Sequence, residues 1–92
     1  MTVRPQAGGE ETRIACDGLF VAIGLIPEND AFADLAELNK WGYFDSDERC
    51  ETRTPGIFVA GDCRSKTVRQ LTTASADGAT AALAACRYID SL

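Results

Sequence analysis

Two short, continuously apolar runs lie between polar, glycine-containing stretches of this sequence. Leu19–Ile23 lies between Gly18 and Gly24, and Ile57–Ala60 ends at Gly61. Runs of this length without a polar position are typical of strands buried on both faces, whereas half-buried strands alternate. We therefore predict two buried strands, over residues 19–23 and 57–60.

Glycines and polar clusters predict two tight turns. Gly8-Gly9 separates two short polar extended pieces, so residues 2–16 are predicted to form a β-hairpin at the edge of the fold. Further along, Gly42 ends a polar cluster that begins at Asn39, and it is expected to adopt a positive φ in a small hairpin turn.

Two intervening segments have weaker patterns. Asn29 or Asp30 is expected to be the N-cap of a short helix that contains Phe32 and Leu35. The acidic stretch Asp45–Glu51 has the composition of a loop, and a solvated surface loop is the favoured interpretation.

The clearest predicted element is a long C-terminal helix. Its small and apolar positions recur at helical spacing and give one face over about five turns. These positions are Leu71, Ala74, Gly78, Ala81, Ala82, Ala85 and Ile89. Thr67 and Gln70 have the spacing of a capping box, so the helix is expected to begin directly after Thr67. A face of alanine and glycine allows close packing on a sheet or close approach to a flat ligand.

Composition and charge narrow the classes of function. With 92 residues, 46% of them hydrophobic and 25% charged, the chain is expected to fold around one core. Its net charge is -5 and its basic residues are scattered, so nucleic acid is not an expected partner. No apolar run approaches the roughly 20 residues that span a bilayer, and no secretory signal is recognisable. We expect no membrane association and a cytoplasmic location.

The cysteines have no spacing that indicates a metal or dithiol site. They are Cys16, Cys50, Cys63 and Cys86, without a C-x-x-C pair and without any histidine in the chain. Metal binding and local dithiol chemistry are therefore weak interpretations. All but Cys50 lie in or beside apolar or small-residue segments, where a free thiol usually behaves as a small hydrophobic side chain.

The arrangement with the most chemical content is a predicted strand that ends at Gly61-Asp62, a short polar connection, and a helix start near Arg69-Gln70. The carboxyl end of a strand beside a helix N-terminus is where open α/β sheets bind ligands, because free N–H groups and the helix dipole favour negative charge there. Gly61 permits close approach, and the Asp62 carboxylate can accept hydrogen bonds from a ribose or ribityl hydroxyl. From spacing alone, a structural turn at the helix entry is an equally good interpretation.

Three segments, in this order and spacing, resemble the last third of a low-molecular-weight thioredoxin reductase, a flavoprotein disulfide reductase. They are Asp17-Gly18-Leu19-Phe20-Val21-Ala22-Ile23-Gly24-Leu25-Ile26-Pro27, then Thr54-Pro55-Gly56-Ile57-Phe58-Val59-Ala60-Gly61-Asp62-Cys63, then Arg69-Gln70 with the small-residue helix. The resemblance covers about residues 12–92. It implies an α/β fold, namely a partial, Rossmann-like FAD/NAD(P)-binding domain with short strands, hairpins and one long C-terminal helix.

The resemblance also implies roles for particular residues. Asp62 matches the acidic residue that hydrogen-bonds a ribityl hydroxyl of FAD, and Gly61 allows that approach. The positions next to the flavin ring are matched by Arg69, Gln70 and Leu71, where backbone N–H groups face the ring edge. The strand and turn that enter the FAD domain are matched by Ala22, Ile23 and Gly24.

The same resemblance implies the organisation and partners of the whole enzyme. Residues 1–16 correspond to a hairpin on the NADPH-domain side, and residues 17–92 to the C-terminal segment of the FAD-binding domain. The full-length enzyme is a homodimer that passes electrons from NADPH through FAD to a disulfide in a thioredoxin-like protein.

Several of that enzyme's parts have no counterpart in these residues. The sequence has neither a G-x-G-x-x-G fingerprint nor the redox-active C-x-x-C, and Cys63 is not assigned a redox role. We therefore expect a fragment that is inactive alone and that self-associates through its unpaired strands. FAD is expected in the full-length protein and not in the fragment, and NADPH is expected to bind outside these residues. Two alternatives remain open. One is the same lobe of a related flavoprotein, such as a peroxide-reductase flavin subunit or a ferredoxin–NADP reductase, and the other is a free-standing, non-catalytic α/β interaction domain.

Overall fold

A computed structural model describes all 92 residues, which form an elongated molecule of 64 × 26 × 20 Å. Strands β1 (Thr2–Val3) and β2 (Thr12–Arg13) form a hairpin at the beginning of the chain. Short 3-10 turns at Asp30–Phe32 and Gly61–Cys63 precede the one long helix, α1 (Leu71–Asp90). No helix in the structure has both the length and the apolar character that crossing a membrane requires.

The predicted N-terminal hairpin is present. β1 and β2 pair antiparallel with Thr2 opposite Arg13, and both of their neighbouring glycines, Gly8 and Gly9, have positive φ values of 86° and 140°. The N–H of Gly8 donates to the carbonyl of Pro5 over 3.0 Å and closes the turn. The hairpin is exposed throughout, as expected of an edge element.

The prediction of a buried strand over residues 19–23 is wrong for this chain. The run is exposed, with Phe20 at 99% and Ile23 at 93% of their full accessible surface, and it has no hydrogen-bonded neighbour. A strand that is buried on both faces needs a sheet around it, and no other segment of these residues pairs with this one. The apolar run therefore remains extended and uncovered.

The second predicted strand, residues 57–60, is reduced to a single bridge between Phe58 and Glu51. Its burial is partly as predicted, because Val59 is buried with Ala36 and Phe44 in a small core. The partly buried side chains of Leu38, Ile57 and Cys63 surround this core. No second strand hydrogen-bonds to its other edge, so residues 57–60 do not form a regular strand.

The hairpin turn and the short helix are found with one difference each from expectation. Gly42 has a φ of 85°, and the N–H of Asn39 donates to the carbonyl of Tyr43 over 2.7 Å, as in the predicted turn. The helix is only a 3-10 turn, and the Asn29 side chain does not cap it. The Asn29 amide instead donates to the carbonyls of Gly42 and Cys63, at 2.9 and 3.0 Å. The buried side chain of Asn29 therefore joins the hairpin turn at Gly42 to the 3-10 turn that ends at Cys63.

The acidic segment Asp45–Glu51 is a surface loop, as predicted, except that one of its residues is buried. Cys50 is completely buried and is the one non-glycine residue with a positive φ, at 64°. The surface side of the loop is organised by Asp47, whose carboxylate accepts the N–H groups of Arg49 and Glu51. The other thiols are more accessible than expected of hydrophobic core residues, since Cys16 and Cys86 are exposed and Cys63 is only partly buried.

Helix α1 begins later than the predicted capping box implied. Gln70 is the N-cap and the helix starts at Leu71, with the Gln70 N–H donating to the hydroxyl of Thr73 over 3.0 Å. The preceding residues cannot join the helix because their side chains are held elsewhere. Lys66 is paired with Asp77, and Arg69 reaches back to the carbonyls of Asp62 and Arg64.

The buried face of α1 is rotated from the predicted stripe. Its most buried residues are Asp77 and Ala84, while Leu71 is 85% exposed and Ile89 is also exposed. The predicted positions that do face the rest of the chain, all half-buried, are Ala74, Ala81 and Ala85. Ion pairing of Asp77 and the edge-to-face contact of Tyr88 with Phe58, at 6.1 Å between ring centroids, set this orientation.

The Asp77 carboxylate is the centre of a buried ion-pair cluster. It accepts both a 2.7 Å and a 3.0 Å hydrogen bond from the Arg64 guanidinium, and the Lys66 ammonium lies 2.7 Å away. It also accepts the backbone N–H of Gly61 over 3.0 Å. The Arg64 guanidinium, with Lys66 and the Gly61 N–H, holds the pKa of Asp77 well below its usual range despite the opposing effect of burial.

Replacing this carboxylate is expected to destabilise the chain. Asp77→Asn leaves the buried Arg64 cation without its counter-ion, and breaking a buried pair in this way costs about 3 kcal/mol or more. The free energy of unfolding, measured by urea denaturation with helical circular dichroism, should fall accordingly. Asp90→Asn, an exposed acidic residue at the end of the same helix, is the matched control and should change little.

The sign of the pH dependence follows from the same pair. Because the folded-state pKa of Asp77 is depressed, its contribution is fully present above its unfolded pKa near 3.8 and is lost as pH falls below that value. The wild-type chain should therefore lose stability steeply in acid, and Asp77→Asn should show a flatter acid limb. Equal slopes for the two proteins would contradict this assignment.

Candidate functional site

The turn at Gly61–Cys63 lies against the first turns of helix α1. Gly61 is buried with a φ of 83°, and a Cβ added there would be 3.7 Å from the Cβ of Ala74. An L-residue with a side chain rarely adopts this φ, so the conformation favours glycine. The glycine thus allows the chain to turn sharply while it stays close to the helix.

Asp62 projects from this turn toward solvent. The residue is exposed, and its carboxylate accepts no hydrogen bond from the rest of the chain. Only its backbone carbonyl is engaged, as the acceptor of the Arg69 guanidinium. The carboxylate is therefore free to accept hydrogen bonds from a bound molecule, which is the role that the sequence predicted for it.

Arg69 supports the turn from the solvent side. Its Nε donates to the carbonyl of Asp62 over 3.0 Å, and its Nη2 donates to the carbonyl of Arg64 over 3.2 Å. Its guanidinium also stacks on the ring of Tyr43, 3.8 Å from the centroid. The side chain of Arg69 is thus committed to the fold, so a ligand contact at this residue would have to come from its backbone.

The helix start offers free backbone donors beside this turn. The N–H groups of Leu71 and Thr72 have no hydrogen-bond acceptor, because the helix has no earlier carbonyl in register for them. The Gln70 N–H, by contrast, is engaged by the hydroxyl of Thr73. Gln70 and Leu71 are exposed here. Free N–H groups and the positive end of the helix dipole make this a place where negative charge is stabilised.

A small cleft of about 240 Å³ brings part of the predicted site together. Its lining includes Asp62 and Arg69, together with Tyr43, Cys63 and the apolar residues Leu25 and Ile26. The other predicted residues of that segment, Ala22, Ile23 and Gly24, do not line the cleft and are exposed. Their proposed contact with a cofactor stays a prediction, as do the roles of the other site residues.

Sequence reasoning missed the residues that hold this site in shape. These are Asn29, Tyr43, Arg64 and Asp77, which hold the turn or its neighbours by hydrogen bonds, ion pairs or stacking. One signal was available: Asp77 is an acidic residue within the stretch of small residues that forms the helix face. The partners of Asn29 lie far along the chain, so nothing in the local pattern identified them.

Neither thiol chemistry nor metal binding is favoured at the turn. Burial raises the pKa of the Cys63 thiol, whose Sγ lies 3.3 Å from the carbonyl of Ala60. A thiol with a raised pKa is a poor nucleophile at neutral pH. No group of three or more His, Cys, Asp or Glu side chains is arranged to hold a metal ion.

Comparison with known proteins gives a consistent family. The family model for pyridine nucleotide-disulphide oxidoreductases matches residues 2–78. The chain is 51% identical over 80 residues to a protein of Clostridium pasteurianum described as the 34.2 kDa protein in the rubredoxin operon, covering 87% of this chain and 26% of that protein. It is 42% identical over 84 residues to the thioredoxin reductase of Bacillus subtilis strain 168, covering 91% of this chain and 27% of that protein.

Solved structures agree with these relatives. Thioredoxin reductase of Lactococcus lactis in the FR conformation superposes with a TM-score of 0.79 at 37% identity, over 99% of this chain and 30% of that one. The enzyme of Streptococcus pyogenes gives a TM-score of 0.78 at 34% identity, with the same coverage of each chain. The chain therefore spans between a quarter and a third of the length of these proteins.

These likenesses confirm the predicted fold class, a partial FAD/NAD(P)-binding fold with short strands and one long C-terminal helix. The two-stranded sheet and the 20-residue α1 are the regular elements of that fold within these residues. By its sequence and its structure, the chain is a member of the pyridine nucleotide-disulphide oxidoreductase family.

Proposed function

We propose that these residues form one wall of the FAD site in an NADPH-dependent disulfide reductase of the thioredoxin reductase type. The observation that carries the proposal is that the Asp62 carboxylate, exposed and without a hydrogen-bond partner, lies on the turn beside the free N–H groups at the start of α1. In this proposal residues 1–16 lie on the NADPH-domain side, residues 17–92 belong to the FAD-binding domain, and NADPH binds outside them.

The chemistry of the donor set fits a flavin. A ribityl chain carries hydroxyl groups, and a free carboxylate such as that of Asp62 readily accepts hydrogen bonds from them. Bound FAD would take up and pass on electron pairs, and negative charge in its ring is stabilised by preorganised N–H donors. Leu71 and Thr72 offer such donors without any rearrangement, because their N–H groups have no acceptor within the helix.

The remaining predicted residues have supporting roles in this proposal. Gly61 lets the turn approach the cofactor, and Arg69 holds the carbonyl of Asp62 so that the carboxylate is presented outward. Ala22, Ile23 and Gly24 belong to the exposed apolar run, which would lie near the cofactor once the rest of the domain covers it. The electron acceptor in the whole enzyme would be a disulfide of a thioredoxin-like protein.

The role of Asp62 can be tested in a chimera in which this chain replaces the matching segment of the Bacillus subtilis thioredoxin reductase. Asp62→Ala should weaken FAD binding by about tenfold, because ligand hydroxyls then lose a charged acceptor. The measurement is flavin content after gel filtration together with the Kd for added FAD. Asp34→Ala, an exposed acidic residue without contacts, is the control and should bind FAD normally.

An alternative outcome would point to another role. If Asp62→Ala lowers thermal stability but leaves the Kd for FAD unchanged, Asp62 is a structural residue of the turn. That result would favour a non-catalytic α/β interaction domain over a flavin site.

The isolated 92-residue chain should not retain FAD. Its sequence contains no G-x-G-x-x-G loop to hold the pyrophosphate, and the residues proposed here would contact only the ribityl and ring portions. Mixed with excess FAD and passed through a desalting column, the chain should emerge colourless, while the Bacillus subtilis enzyme treated identically should emerge yellow. A yellow, stoichiometric complex of the isolated chain would contradict this division of the site.

We further propose that the isolated chain self-associates. Phe20, Ile23 and Ile26 are each at least 90% exposed, and Leu71 and Leu83 add exposed apolar surface on the helix. Surfaces of this kind are normally covered in monomeric proteins. Light scattering should give a mass that rises with concentration, and the double variant Phe20→Ser with Ile23→Ser should lower it.

Trp41→Ser is the matched control for this experiment, because Trp41 is a large exposed apolar residue outside the run. It should leave the association unchanged. A monodisperse monomer at high concentration would contradict the proposal, and equal effects of Trp41→Ser and the double variant would show that association does not depend on residues 19–26. Homodimer formation by the whole enzyme is a separate proposal that follows from the family.

A further inference from the structure

We propose that Asp77 is a positioning residue for the flavin site, which it never touches: it fixes the Gly61–Asp62 turn relative to the start of helix α1. This inference rests on the proposed function, because the turn matters only if Asp62 binds the cofactor. It assigns to a buried helix residue the task of presenting an exposed carboxylate on a neighbouring turn.

One carboxylate joins three parts of the chain. Asp77 Oδ2 accepts the Gly61 N–H at 3.0 Å, the Arg64 Nε at 2.7 Å and the Lys66 Nζ at 2.7 Å. Its Oδ1 accepts the Arg64 Nη2 at 3.0 Å. The residue is 8% exposed, so it is not available for contact with a ligand. Any effect on ligand binding therefore has to pass through the groups that it holds.

The group that matters for Asp62 is the N–H of Gly61. Gly61 has a φ of 83°. The hydrogen bond from its N–H to Asp77 fixes the preceding peptide group and so restrains this unusual φ. On the other side of the turn, the Asp62 carbonyl is held by Arg69. The backbone is thus restrained both before and after the Cα of Asp62, and the Asp62 side chain is the group left free.

Asp77 also sets the distance between the turn and the free N–H groups. It lies in the second turn of α1, in the same rigid helix as the unpaired donors of Leu71 and Thr72. Because the Asp77 carboxylate is fixed in that helix and hydrogen-bonded to Gly61, it keeps the Asp62 turn and the free N–H groups of the helix start at a constant distance from each other. Preorganisation of this kind lowers the cost of ordering the site when a ligand binds.

A negative charge is required at this position. Asp77 receives four hydrogen bonds from one backbone amide and two cations, and a carboxylate has acceptor sites for all of them. An asparagine would present an NH2 group to at least one of these donors. With the asparagine oxygen at the Oδ2 position, the NH2 group would face Arg64 Nη2; in the other orientation it would face the Gly61 N–H itself. In either case both ion pairs are lost, and the Gly61 N–H is left with a weaker, neutral acceptor or with none.

The test compares three variants in the chimera defined above. Asp77→Asn should raise the Kd for FAD about tenfold, because a neutral side chain that has lost its ion pairs no longer fixes the Gly61 amide and the turn is freed. Lys66→Met removes one partner of the same carboxylate but leaves its bonds to Gly61 and Arg64, so it should bind FAD within about twofold of the parent even if its stability falls. Ala84→Gly weakens the buried helix face away from the turn and should also bind normally while its melting temperature falls.

The outcomes separate this inference from the proposed function. If Asp62→Ala weakens FAD binding but Asp77→Asn does not, the positioning role is wrong and the flavin site stands. The same conclusion follows if Ala84→Gly weakens binding as much as Asp77→Asn, because the effect is then general instability. If the parent chimera does not bind FAD, or Asp62→Ala has no effect, the proposed function and this inference fail together.

A second measurement does not depend on the chimera or on flavin. In the 92-residue chain, hydrogen exchange followed by NMR should show a Gly61 amide that is protected in the wild type and in Lys66→Met. In Asp77→Asn that amide should exchange at least about tenfold faster, since its charged acceptor is replaced by a neutral one that the ion pairs no longer hold in place. Equal protection of the Gly61 amide in all three proteins would overturn the inference.

Discussion

The buried carboxylate of Asp77 is the interaction on which the rest of the structure depends. Helix α1 is made mainly of small side chains, which give it little apolar area to hold it against the loops. Ion pairing with Arg64 and Lys66 supplies a directional contact instead, and it decides which face of the helix is buried. A charge buried in this way stabilises the fold only while all of its partners are present.

The extended segment between the Gly61–Cys63 turn and the helix is a consequence of the same cluster. In this segment Arg64 and Lys66 form ion pairs with Asp77. Arg69 stacks on the ring of Tyr43. This is why the capping box that the sequence indicated at Thr67 is not used. A local signal worth about a kcal/mol is outweighed by several charge-assisted hydrogen bonds.

Local chemistry predicted those elements that need only their own residues. The Gly8-Gly9 hairpin, the turn at Gly42 and the long C-terminal helix all follow from backbone preferences and periodicity. The strands failed for the opposite reason, since Leu19–Ile23 has the composition of a strand but no neighbour to pair with. For the site, Gly61, Asp62 and the helix start were singled out by the strand–turn–helix pattern and assigned roles by the resemblance, and those roles stay predictions. Asn29, Arg64 and Asp77, in contrast, act through contacts that no sequence spacing encodes.

Cys50 shows how tightly one loop position can be constrained. Its φ of 64° favours glycine, but its side chain is completely buried, so glycine would leave an empty volume. Burial raises the pKa of its thiol, which therefore keeps its proton and can donate to the carbonyl of Asp77 at 3.6 Å. The acidic loop is thus joined to the backbone carbonyl of Asp77, the helix residue whose carboxylate anchors the Gly61–Cys63 turn. The Cys50 side chain both fills this volume and donates to that carbonyl, so any replacement has to meet both demands in a backbone conformation that favours glycine.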